Sequence, residues 1–161
     1  MRVRTGIGWD SHRLEPGRPL ILGGVQLEHP DGLGLAGHSD ADVLTHAVID
    51  ALLGAAALDD IGAHFPDTDE RWRGADSLDL LRAVAGMLAE RGLSVEHVDA
   101  TVLMERPKVG PRKHEMRDHL AAALEIAHTR VNVKATTGEG MGFVGRGEGV
   151  VAQAVATLAE P

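Results

Sequence analysis

Stretches of period two alternate along this chain with stretches of period three to four, and that alternation restricts the fold more than any other feature. Val3 to Trp9 reads as a strand, and Leu20 to Leu27 as a second strand interrupted at Gly23-Gly24. Asp40 to Leu58 places Val43, Ala47, Val48, Ala51, Leu52 and Ala55 at spacings of three and four, the stripe of an amphipathic helix. Ser39 is its predicted N-cap. Ser77 to Arg91 reads as a second helix closed by Gly92, and Val95 to Met104 alternates as a strand. Pro107 and Pro111 bracket a turn, Arg112 to Ala127 reads as a third helix, and Arg130 to Thr136 as a strand. The closing GVVAQAVATLA, from Gly149, leans to strand by its β-branched residues. Pro30 to Gly37 and LDDIGAHFPDTDERWRGAD, residues 58–76, read as loops; a loop of the second length in a compact domain is often functional. The expectation is an α/β (α+β) fold in one domain spanning residues 1–161, with no internal repeat and no linker.

Composition narrows the function classes. The 161 residues include two Trp, two Phe and no Tyr, so the core must be built from Val, Leu, Ile and Ala. Small side chains bury less area each, which makes an oligomeric interface a natural supplement. There is no cysteine, which excludes disulfides, thiolate metal sites and a cysteine nucleophile. A net charge of −8 without a basic stripe argues against nucleic-acid binding. No apolar run approaches the ~20 residues of a membrane span, and the N-terminus lacks a signal-peptide apolar region; the expected location is the cytoplasm.

Three residues could meet at a metal ion. In GWDSHR, Asp10 and His12 are two apart and point the same way from an extended chain. They fall where the first strand is expected to give way to a loop. His46 lies in the first long helix, with Asp42 and Asp50 one turn to either side on the same face. Two imidazoles and a carboxylate suit zinc and leave a fourth position open, with the helix carboxylates as outer partners. The same residues also suit a hydrogen-bonded structural histidine and an Asx turn, and local spacing does not separate the two readings.

The glycine-rich KATTGEGMGFVGRGEG, Lys134 to Gly149, contains Gly140-x-Gly142-x-x-Gly145, formally a dinucleotide fingerprint. Too little chain follows for the βαβ unit that fingerprint requires. What remains is a strand end at Thr136-Thr137-Gly138-Glu139, whose hydroxyls and N–H groups could hold phosphate oxygens and whose Glu139 could hold a hard cation. A surface loop whose glycines permit sharp turns is the other reading.

Taken together, GWDSHR, GHSDADVLTHAVIDALLGAAALDDIGAHFPDTD, MERPKVG, VNVKATTGEGMGF and VGRGEG, in this order and spacing, resemble the 2-C-methyl-D-erythritol 2,4-cyclodiphosphate synthase family. The resemblance runs from the first strand to the last. It implies a lyase-type cyclisation in which the 2-phosphate of 4-diphosphocytidyl-2-C-methyl-D-erythritol 2-phosphate attacks the β-phosphorus and releases CMP. It implies zinc or another divalent ion at Asp10, His12 and His46, and magnesium or manganese bridging the diphosphate with help from Glu139. It assigns transition-state stabilisation to His38 and Thr137, and contact with the 2-phosphate to His38 and Ser39. Asp60, Ile61, Gly62, Phe65, Pro66, Asp67, Thr68 and Asp69 resemble the loop holding sugar and polyol hydroxyls. Met104, Glu105, Arg106, Pro107, Lys108, Val109 and Gly110 resemble the cytosine pocket, and Thr136 and Gly138 flank the phosphates.

The family implies a mixed β-sheet with helices on one face and a homotrimer with sheets around the three-fold axis. The sites would lie between subunits. Trp9, Phe143, Arg146 and Glu148 would lie near an axial cavity able to hold an isoprenoid diphosphate. Three positions depart from the family pattern: Gly138 and Val144 stand where threonine is common, and Trp9 where phenylalanine is. A zinc-dependent phosphodiesterase and a non-catalytic isoprenoid- or nucleotide-binding trimer remain the rival functions. The other histidines (29, 64, 97, 114, 119 and 128) have no role in the pattern.

Overall fold

A computed structural model describes all residues, 1–161. Its central sheet has five strands in the order β4-β1-β7-β5-β6. β1 spans Arg2–Pro16, β4 Leu33–Leu35, β5 Ser94–Leu103, β6 Val131–Thr136 and β7 Gly149–Glu160. β7 runs antiparallel to both β1 and β5, and β5 runs parallel to β6. The two short strands β2, Leu20–Leu22, and β3, Val25–Leu27, pair antiparallel as a hairpin around Gly23-Gly24. Both glycines have positive φ, the backbone a two-residue turn demands.

Helices α1 (Val43–Ala56), α3 (Ser77–Glu90) and α4 (Lys113–Leu124) share one cluster of 41 buried apolar residues with the sheet. Val150, Ala152, Ala154, Ala156 and Leu158 of β7 are buried toward it, with the alternation that a one-sided sheet requires. On the sheet's other face Val3, Ile7, Trp9 and Val155 are exposed, with Ile7 directly opposite Val155. No helix is long and apolar enough to cross a membrane.

The structure corrects several boundaries. β1 does not end at Trp9: it pairs with β7 through Arg13↔Gly149, so Asp10 and His12 lie in a regular strand and not in a loop. β4 occupies the stretch read as a glycine-rich loop. It is too short for a period and is held by pairing with Leu14–Pro16. α1 begins at Val43 with Asp42 as its cap, not Ser39; the Asp42 carboxylate accepts from the Thr45 N–H at 3.0 Å. The long 58–76 segment contains a short helix, α2, Ile61–His64, and a 3-10 turn, Glu70–Trp72, capped by Asp60 and Asp69. α5, Gly142–Gly145, is a single turn inside the second glycine-rich stretch.

Candidate metal and nucleotide half-sites

The packing of α1 on β1 builds the first cluster. Gly6, Gly8, Asp10 and His12 alternate along one face of β1, the face turned to α1. A Cβ on Gly6 would meet the Ala51 carbonyl at 2.2 Å, and one on Gly8 the Ala47 carbonyl at 1.9 Å. Glycine is required there, and the helix stripe Ala47, Ala51, Ala55 is small for the same reason. This close approach brings His46, in the first turn of α1, over the next two positions of the strand face.

There the ligand atoms of Asp10, His12 and His46 lie within 4.8 Å of one another. Asp10 Oδ2 is 3.0 Å from His12 Nε2 and 3.1 Å from His46 Nδ1, and the two nitrogens are 3.3 Å apart. His12 Nδ1–H donates to the Ala36 carbonyl at 2.7 Å, which turns the lone pair of Nε2 into the cluster. Burial works to raise the Asp10 pKa, but the hydrogen bonds and charges of His12 and His46 prevail and bring it to about 2. Burial likewise works to lower His12, and its hydrogen bond and attraction to Asp10 raise it above the ordinary histidine value. One carboxylate oxygen and two imidazole nitrogens, converging from rigid elements with outer hydrogen bonds in place, form a donor set that fits a divalent cation such as zinc.

The outer partners are not those expected from helix spacing. Asp42 is fully buried and accepts from the N–H groups of Gly23, Gly24 and Thr45 and from the Thr45 hydroxyl, tying the β2–β3 turn to the start of α1. Asp50 accepts from the Ile61 N–H at 2.8 Å and anchors α2. His46 Nε2 instead meets Ser77 Oγ at 2.8 Å and Ser39 Oγ at 3.3 Å.

The triad opens into a cleft of about 390 Å³ lined also by His38, Ser39, Ile61, Gly62, Phe65, Pro66, Asp67 and Trp72. Of the predicted hydroxyl-binding loop, Asp60, Thr68 and Asp69 do not line it. Asp60 caps α2, Thr68 is exposed, and Asp69 caps the 3-10 turn and pairs with Arg71. His38 Nε2–H donates to the Asp69 carbonyl at 3.0 Å. Two contributors escaped sequence reading. Arg18 donates to the carbonyls of Leu35, Gly37 and Ser39 and so shapes the loop carrying His38. Trp72 packs edge-on against Phe65, with its buried Nε1 lacking a partner. Neither lies in a local motif.

The remaining predicted residues gather elsewhere. β5 and β6 are parallel, so their C-terminal ends emerge side by side, joined by Met104 N–H to the Thr136 carbonyl at 3.1 Å. Met104, Lys108, Val109, Gly110, Thr136 and Thr137 line a separate cleft of about 380 Å³ at that edge. It shares no residue with the first. Arg106 is exposed and paired with Asp31, Pro107 follows it through a cis peptide, and Glu139 is exposed at φ 53°.

Glu105 does not line this cleft. Its carboxylate accepts from Gly138 N–H at 2.8 Å and Gly140 N–H at 3.1 Å, filling the concavity that those groups would offer an anion. The Gly138 N–H, expected to face phosphate, is therefore committed within the chain. Phe143 and Arg146 lie beyond both clefts, with Arg146 paired to Glu148.

A family model described as the YgbB family matches residues 3–159. The chain belongs to the YgbB family. It is 62% identical over 156 residues to the 2-C-methyl-D-erythritol 2,4-cyclodiphosphate synthase of Salinibacter ruber, covering 97% of this chain and 98% of that one. It is 61% identical to the bifunctional enzyme IspD/IspF of Anaeromyxobacter dehalogenans, where it covers 97% of itself but 40% of the longer protein. Among solved structures, bifunctional IspDF from Campylobacter jejuni superposes with a TM-score of 0.92 at 42% identity, covering 98% of this chain and 42% of that one. A CDP-bound 2C-methyl-D-erythritol-2,4-cyclodiphosphate synthase superposes with a TM-score of 0.87 at 39% identity, covering 97% and 100%.

Proposed function

We propose that residues 1–161 form one cyclodiphosphate synthase domain. Its substrate is 4-diphosphocytidyl-2-C-methyl-D-erythritol 2-phosphate and its products are 2-C-methyl-D-erythritol 2,4-cyclodiphosphate and CMP. The reaction is a phosphorus–oxygen lyase step. A 2-phosphate oxygen forms a bond to the β-phosphorus, the bond from that phosphorus to the oxygen bridging the α-phosphate breaks, and CMP leaves with the bridging oxygen. The observation that carries this reading is the convergent Asp10–His12–His46 cluster in a chain 62% identical, end to end, to a synthase of that name.

The obstacle is repulsion between two anionic phosphates, so positioning and charge neutralisation do the catalytic work. Asp10, His12 and His46 would hold zinc or another divalent ion, which supplies positive charge beside the β-phosphate. Glu139 would hold magnesium or manganese against the diphosphate. His38 is held at the cleft by its Nε2–H bond to the Asp69 carbonyl, and in this reading it acts with Thr137 on the transition state. Ser39 faces the 2-phosphate. Phe65 and Trp72 give the cleft an apolar wall.

The two clefts are separate within one chain, and the sheet face bearing Val3, Ile7, Trp9 and Val155 is exposed. Both observations support a homotrimer around that face, in which the metal half of one subunit meets the nucleotide half of the next. Trp9, Phe143 and Arg146 would then border an axial cavity suited to an isoprenoid diphosphate. Incubating substrate with the protein, with and without chelator, and following products by phosphorus NMR tests the activity. The ring plus CMP, lost with chelator, is expected; a linear phosphate plus CMP indicates a hydrolase, and no CMP release indicates a binder. Sedimentation should give three times 17.0 kDa.

A further inference from the structure

We propose that Ser77 and Asp40 form a hydrogen-bond relay that locks the His46 ring with its proton on Nε2 and its lone pair on Nδ1. Both are thus positioning residues of the metal half-site. This rests on the reading of Asp10, His12 and His46 as cation ligands.

The donor assignment follows from the acceptor at the end of the chain. An ionised carboxylate only accepts. Asp40 Oδ2 accepts from Ser77 N–H at 3.0 Å, and Oδ1 lies in a short contact with Ser77 Oγ. The Ser77 hydroxyl therefore donates to Asp40, and toward His46 Nε2, 2.8 Å away, it has only lone pairs to offer. That nitrogen must carry the ring proton. In the neutral ring that a cation needs, the lone pair then belongs to Nδ1, which faces Asp10 Oδ2 at 3.1 Å and His12 Nε2 at 3.3 Å, where three donor atoms can converge on one ion. Ser39 Oγ, which accepts from Ala41 N–H, is a second and longer acceptor for the same Nε2–H.

Burial makes the lock firm. Ser77 is 0% exposed and His46 is buried, so water does not readily replace the hydroxyl. The relay also ties three pieces of chain together. Ser77 begins α3, and Asp40 belongs to the loop that carries His38 and Ser39. The Asp40 N–H donates to the Ala75 carbonyl at 3.1 Å and the Gly74 N–H to the His38 carbonyl at 2.8 Å. The orientation of the ligand ring and the position of the 38–40 loop are thereby set by the same contacts. His12 receives the equivalent service from the Ala36 carbonyl.

The test uses zinc itself as the probe. In Ser77→Ala the dissociation constant for zinc, measured by competition with a chromogenic chelator, should rise ~10–100-fold, the usual cost of losing an outer partner. Asp40→Asn should raise it less, because the amide oxygen still accepts. Ser77→Thr, which keeps the hydroxyl, should bring it back near wild type. In nitrogen-15 spectra of the zinc-loaded protein, the His46 Nε2–H proton should be sheltered from exchange in wild type and in Ser77→Thr, and lost to exchange in Ser77→Ala. Zinc affinity and proton protection unchanged in a folded Ser77→Ala overturn the relay while leaving the metal site standing. If Ser77→Ala does not fold, unchanged values in Asp40→Ala, which removes the acceptor, overturn it equally. Failure of wild type to bind zinc overturns the ligand reading itself, and the relay with it.

Discussion

The proposed metal half-site and the proposed nucleotide half-site are built by opposite means. The first is made of side chains on regular elements: Asp10 and His12 on β1 and His46 on α1, the two rings turned by hydrogen bonds to the Ala36 carbonyl and the Ser77 hydroxyl. The second is made largely of backbone at the ends of β5 and β6, with Lys108, Gly110 and Thr136 exposed and one carboxylate, Glu105, shaping the loop beneath. Holding a cation needs three atoms fixed to within a few tenths of an ångström, which packed strands and helices provide. Reading a base edge needs free N–H and C=O groups in a defined turn, which a proline- and glycine-bearing loop provides.

The contrast breaks first at the glycines. Gly8→Val should cost the protein its fold or its zinc, since the added Cβ meets the Ala47 carbonyl at 1.9 Å and α1 must lift from β1. A soluble, zinc-binding Gly8→Val would show that the half-site does not depend on this close approach. His46→Ala should abolish zinc binding and reduce CMP release by ~10²-fold or more, above the range of outer partners. CMP affinity should stay within about two-fold, and a parallel loss of CMP binding would mean that the halves are not independent.

Asp42→Ala leaves three backbone N–H groups without their acceptor and should lower stability by about 3 kcal/mol in urea titrations. A loss under ~1 kcal/mol would mean that water reaches the freed N–H groups. Glu105→Ala should sharpen the comparison from the other side. Its zinc affinity should be that of wild type, and its KM should rise several-fold as the 138–140 loop loosens.

The smallest effect is in pH. His12 is raised, so its stabilising proton is fully held below the ordinary value near 6.5 and is lost as pH rises through its folded value. Asp10 is lowered, so its contribution is present above 3.8 and is lost as pH falls toward 2. Melting curves of metal-free protein should therefore decline from neutral to alkaline pH, and zinc, which takes the place of the His12 proton, should flatten that decline. An equal slope with and without zinc would exclude the site as its source.

Much of the fold is legible from periodicity. The three long helices and the strands expected at 3–9, 95–104 and 130–136 are found within a few residues, and the segment from Gly149, which only its β-branched residues lean to strand, is one. β4 and the far half of β1 are not legible in this way, because three residues have no period and Asp10 to Arg13 is polar on both faces; their strand conformation comes from β7 and β4 alongside. In the proposed metal half-site Asp-x-His and a helix-border histidine stand out in the sequence, but their spacing leaves a structural reading open and only the family resemblance marks them as candidate ligands. Their partners do not stand out, since Ser77 is 31 residues from His46 and Arg18 reaches across a turn of chain with no motif at either end. Helix spacing pointed instead to Asp42 and Asp50, which face the β2–β3 turn and α2.

By itself, then, the order of residues indicated that Asp10 and His12 point the same way from an extended chain and that Ala47, Ala51 and Ala55 share a helix face, because side-chain direction repeats with the backbone period. Only the tertiary structure decided that these two faces meet, that His46 lands over Asp10 and His12, and that Glu105 fills the loop N–H groups expected to face phosphate. Those outcomes depend on packing across long sequence separations, where steric fit and hydrogen-bond satisfaction choose among partners that local pattern leaves equivalent.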